Sequence, residues 1–140
     1  MSTLVEKIKE HPQIFHSSRG KMVRVWEAED QLGLTFPEEY EAYLCHFGAI
    51  GFGSVEWTGI NVDPELNVVR VTRRAREEAE SFPAGCFVLR VSDAEGRMVV
   101  CSETEQILAL QEGSGPEQIC EGLVSYFERC LEEGLGETLI

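Results

Sequence analysis

Apolar residues in the first 48 positions recur at helical spacing. Leu4, Val5 and Ile8 follow Thr3, whose spacing to Glu6 makes a capping box, and Pro12 closes the segment, so a short helix is expected from Thr3 to His11. Met22, Val25, Trp26 and Leu32 lie near one face of a second helix, Met22 to Leu32, with Gly33 as its left-handed stop. Pro37 suits the first turn of a third helix, in which Tyr40, Tyr43, Leu44 and Phe47 stand at i, i+3, i+4 and i+7 before Gly48 ends it. Its first turns carry Glu38, Glu39 and Glu41, where the positive end of the helix dipole favours carboxylates.

Beyond Gly48, Gly51 and Gly53 the period changes. Val55 to Ile60 and Asn67 to Val71 read as short strands, Arg73 to Ser81 as a charged helix, and Cys86 to Val91 with Arg97 to Ser102 as a hairpin around the turn Asp93-Ala94-Glu95-Gly96. Gln106 to Gln111 adds a further strand. Pro116 to Glu133 places Ile119, Leu123, Tyr126, Phe127 and Leu131 at helical spacing, which gives an amphipathic closing helix. The expected fold class is α+β, a mainly antiparallel sheet packed with N- and C-terminal helices, in one domain over residues 1–140.

Charge changes this picture more than composition does. The formal net charge is −13, and it sits in two blocks: residues 26–65 hold no lysine or arginine, and residues 99–140 hold only Arg129. Such a surface repels nucleic acid and attracts basic protein. No stretch is long and apolar enough for a membrane span, and the charged N-terminus lacks the apolar run of a secretory signal, so a cytoplasmic location is expected. Five cysteines without a C-x-x-C pair fit reduced, mostly buried thiols.

Candidate chemistry is sparse. The glycines at 48, 51 and 53 follow a helix and precede a strand, the reverse of a phosphate-binding turn, and no Gly-Lys-Ser/Thr follows. Cys45 and His46 are adjacent on a helix and point about 100° apart, so they cannot form a dyad by themselves. No cluster of Cys and His has zinc-ligand spacing, and Asp93 to Gly96 lacks the alternating oxygen ligands of a calcium loop. The expectation is a binding module with no catalytic residues, metal or cofactor. Trp26, at helical spacing, reads as core; Trp57, in a strand, faces either the core or a partner.

The run Glu29-x-x-Leu32-Gly33-x-x-x-Pro37-x-x-Tyr40-x-x-x-Leu44, followed by Phe47-Gly48, Phe52-Gly53 and Gly59-Ile60, resembles the SUKH superfamily, which includes the fungal Smi/Knr cell-wall assembly regulators. Its bacterial members are mostly immunity proteins of polymorphic toxin systems. The resemblance implies an α+β fold and a protein partner, often a nuclease-type toxin domain, and carries no catalytic residues to transfer. A nuclease presents a basic groove to phosphate, so an inhibitor can compete by offering carboxylates to it. On this reading Glu38, Glu39, Glu56, Asp63, Glu65, Glu103 and Glu105 form the partner-binding face, with Trp57 as an apolar anchor. The alternatives are a regulatory or scaffold domain for another basic protein or peptide, and an enzyme without a recognisable motif.

Overall fold

The computed structural model describes residues 3–79 and 81–135. Helix α1 (Thr3–Lys9) buries Leu4, Val5 and Ile8; α2 (Met22–Leu32) and α3 (Glu38–Phe47) follow, separated by Gly33 in the left-handed conformation and by Pro37. Strands β1 (Phe15–His16), β2 (Ile50–Phe52) and β3 (Val55–Glu56) form a small antiparallel sheet. After a 3-10 turn at Pro64–Leu66 comes α4 (Val68–Glu78). A four-stranded antiparallel meander of β4 (Cys86–Arg90), β5 (Met98–Ser102), β6 (Gln106–Leu110) and β7 (Glu117–Glu121) then leads into α5 (Leu123–Gly134). No helix among the described residues is long and apolar enough to cross a membrane.

Every residue of β4 is buried because both faces of its sheet are covered. Phe87 and Leu89 enter the main core with Phe36 and Tyr40, while Cys86 and Val88 join a second apolar cluster with Ala75 of α4 and Val100. The two sheets are tied through Thr58. Its N–H donates to Leu89 O (2.9 Å) and its hydroxyl to Val88 O (2.8 Å). With that proton committed, the Tyr40 hydroxyl donates to Thr58 Oγ1 at 2.9 Å, and Tyr43 donates to Thr58 O at 2.8 Å while accepting from the Ile50 N–H. Burial pushes both phenols well above their ordinary pKa, so this polar knot stays neutral.

Two glycines in the family-like motif meet face to face. A Cβ on Gly59 would lie 1.8 Å from Gly48 O, the atom that accepts the Ile60 N–H. Only a residue without a side chain allows this approach.

Four expectations for the elements need correction. The segment from Asn67 to Val71 is not a strand: the Asn67 carboxamide accepts the Val69 and Arg70 N–H groups at 3.1 Å each, and the cap starts α4 there. The expected strand over 55–60 is paired as β3 only at Val55–Glu56. The closing helix does not begin at Pro116, because Glu117–Glu121 pairs with β6 and Gly122 turns the chain at φ 104° before α5. The last residue called for the charged helix, Ser81, lies beyond its end at Glu78, and Glu80 is outside the described residues.

Candidate protein-binding face

Helix α2 carries more apolar side chains than the core can take. Val25, Ala28 and Leu32, at i, i+3 and i+7, turn inward. The neighbouring stripe, Met22, Trp26 and Glu29, is left at the surface; Trp26 is 58% exposed, and Val23 beside it is 51% exposed. The stripe runs along α3. At one end the Cys45 thiol donates to Met22 Sδ at 3.3 Å. At the other, Glu41 lies near Glu29, and burial followed by the Glu29 and Glu38 charges raises the Glu41 carboxyl above its ordinary pKa. Trp26, one turn from Met22 and one from Glu29, lies between these two contacts.

The acidic end is extended by the α2–α3 connection. Its consecutive N–H groups at Thr35 and Phe36 donate to Glu103 (2.8 Å) and Glu29 (2.7 Å), so carboxylates from the β5–β6 turn and from α2 converge on one corner with Glu38 and Glu41. Among the described residues none of Glu29, Glu38, Glu41 and Glu103 is ion-paired with a lysine or arginine. The opposite end is basic: Lys9 and Arg19 lie close enough to His46 to lower its pKa further, after the effect of burial. The face therefore has a polarity, cationic where α2 begins and anionic where it ends.

The residues expected to bind a partner divide into three groups. Glu38 and Glu103 belong to this corner. Glu39 and Glu105 carry a structural load: Glu39 accepts the Leu4 N–H at the start of α1 (3.3 Å), and Glu105 accepts the Leu123 N–H at the start of α5 (3.0 Å), where helix dipoles favour a negative group. Glu56, Asp63 and Glu65 are exposed on β3 and at the 3-10 turn, and no hydrogen bond or ion pair among the described residues joins them to the corner.

Trp57 is a correction. It is fully buried, with ring centroids 5.6 Å from Tyr43 and 5.9 Å from Tyr126 and Phe127, so it cannot anchor a partner. Trp26, expected in the core, holds the exposed position. The two tryptophans exchange roles because neighbouring elements decide which stripe of α2 is covered. Trp26, Glu29 and Glu41 are additions to the expected face; the signal for the two glutamates is the acidic run after residue 26 without one basic residue, and none marks Trp26.

A second polar feature lies between the β4–β5 turn and α5, a cavity of about 150 Å³ lined by Arg90, Asp93, Arg97, Tyr126, Arg129 and Glu133 among others. Its cations are already engaged. Arg90 pairs with both oxygens of Glu133, Arg97 pairs with Asp93 at 3.0 Å, and Arg129 donates to Ile119 O. Among the described residues no group of three or more His, Cys, Asp or Glu is placed to hold a metal ion.

A model of the SUKH_5 family, described as SMI1-KNR4 cell-wall, matches residues 1–132. No curated protein matches the chain.

Proposed function

The chain belongs to the SMI1-KNR4 cell-wall family, and from that membership and its charge we propose that it is a cytoplasmic immunity protein that neutralises a basic, nuclease-type toxin by direct binding. The observation that carries this reading is the corner of Glu29, Glu38, Glu41 and Glu103, which lacks compensating cations among the described residues and adjoins an uncovered apolar strip. Unpaired carboxylates steer a cationic partner and choose among partners, and an exposed aromatic supplies contact area once the two surfaces meet. Glu56, Asp63 and Glu65 add long-range attraction. Inhibition of this kind covers a phosphate-binding groove and needs no catalytic step, cofactor or metal.

The family description also names cell-wall proteins, which favours a second reading, a regulatory domain that binds another basic protein. Co-expression separates the two. Cells that express the toxin encoded beside this chain survive when the chain is present if it is an immunity protein. Stable binding to another protein, with no rescue, supports the regulatory reading and refutes the first.

A further inference from the structure

Three of the five large apolar side chains exposed among the described residues, Met22, Val23 and Trp26, are more than a third exposed on the one helix α2. Apolar side chains that are exposed together on one helix, an indole among them, rather than scattered singly, form the kind of patch that a partner covers. The charge around it identifies the kind of molecule. The anionic end, Glu29 with Glu41 and Glu38, is one helical turn from Trp26, and the repulsion within this group is what an incoming cation relieves. The cationic end, with Lys21 and Arg24 at the start of α2, is partly neutralised by the Arg24–Glu27 pair at 3.3 Å.

We propose that this face of α2 and α3 docks a protein segment presenting an arginine, whose guanidinium lies on the Trp26 ring and is held at its edge by the Glu29–Glu41 carboxylates. The inference rests on the binding role proposed above and specifies its partner chemistry. Arginine fits better than lysine for two reasons. Its guanidinium is planar and weakly hydrated, so it stacks on an indole at low desolvation cost, and its fork of donors can meet carboxylate oxygens while stacked. Met22 and Val23 then take the apolar residues that flank the arginine, and the polarity of the face sets the direction of the segment.

The probe is a capped seven-residue peptide of glycine, leucine and arginine, tested beside a lysine version and a version with neutral citrulline in place of arginine. Amide and indole shifts of the isotope-labelled full chain report the site. The arginine peptide is expected to shift the Trp26 indole N–H and amides of α2 and α3, and to bind about tenfold more tightly than the citrulline peptide. Trp26→Ala and Glu41→Gln each weaken it about fivefold, whereas Glu117→Gln on exposed β7 leaves it unchanged. Trp26 is exposed and Glu41 half-buried, and the buried Trp57 remains as a fluorescence check that the variants fold. Shifts spread over all acidic segments, equal binding of the lysine peptide, or wild-type affinity in Trp26→Ala would each overturn the inference. The toxin reading fails separately: if the wild-type chain gives no rescue but the peptide maps to α2 and α3, the docking face stands and the immunity role falls. Rescue by wild type and Trp26→Ala alike has the opposite meaning.

Discussion

Replacing each tryptophan by alanine gives opposite results for stability and binding. Trp57 is fully buried against Tyr43, Tyr126 and Phe127. A tryptophan buries roughly 150–250 Å², which at about 25 cal/mol per Å² amounts to some 4–6 kcal/mol as an upper estimate. Measured truncations of this type cost about 3–5 kcal/mol, so the two routes agree. With an unfolding entropy near 2.1 cal/mol/K per residue, a chain of 140 residues has roughly 0.3 kcal/mol/K, and Trp57→Ala should lower Tm by about 10–17 °C. Trp26, 58% exposed, gives up well under half of that burial. Alanine's better helix propensity returns about 0.5 kcal/mol, leaving a net cost of about 1 kcal/mol. Urea unfolding followed by far-UV circular dichroism measures both without relying on the deleted fluorophore. Equal destabilisation by the two variants would refute the assignment of Trp57 to the core and Trp26 to the surface.

Three further outcomes follow from particular contacts. Gly59→Ala drives a Cβ to 1.8 Å from Gly48 O, where both partners are backbone and neither can rotate away; a loss of roughly 3 kcal/mol or a failure to fold is expected in the same urea assay. Arg90→Met removes the buried partner of Glu133 and should cost about 2–3 kcal/mol, less than a fully buried pair because the Glu133 side chain is 24% exposed, and Glu133→Leu in that background should recover part of it in a double-mutant cycle. Glu41→Gln should raise Tm at pH 7. The folded state holds this carboxyl above its unfolded pKa through burial and then the Glu29 and Glu38 charges, so the ionised form opposes folding above the folded-state pKa. As pH falls through that value and then the unfolded one, near 4.3, the penalty disappears, and the two proteins should melt alike below about pH 4.

The parts of the fold legible in the sequence were those fixed by local chemistry. Gly33, Pro37 and Gly48 punctuate the chain at the ends of α2 and α3, and the structure begins and ends those helices there. What was hidden depends on a cap competing with strand propensity and on neighbours distant in sequence. Val68, Val69 and Val71 have strand propensity, yet the Asn67 cap and the apolar surface beneath α4 make them helical. Ile119 continues the helical period of α5, but its segment completes a ladder with β6, and periodicity cannot see a partner strand upstream. The proposed face is legible in its charge and obscure in its shape. The sequence shows an acidic block but not that Glu39 and Glu105 serve as helix caps, nor which of two apolar stripes on α2 meets the core. In the family-like motif Glu29 closes the α2–α3 connection at this corner, whereas Tyr40 joins the buried Thr58 knot and Gly48 makes room for Gly59. Glu38 and Glu41 stand at unspecified positions of the motif, and Trp26 lies before its first residue.

The central claim is that the acidic corner beside Trp26 recruits a basic toxin domain. The most direct test is the association rate of the chain with the basic toxin domain proposed as its partner, measured by stopped flow across ionic strength for wild type and for Glu38→Lys with Glu41→Lys. The account predicts a rate that falls steeply with salt, is slowed about tenfold or more at low salt by the two reversals, and changes less with Glu56→Lys and Asp63→Lys. A rate indifferent to salt and to the corner reversals would contradict it.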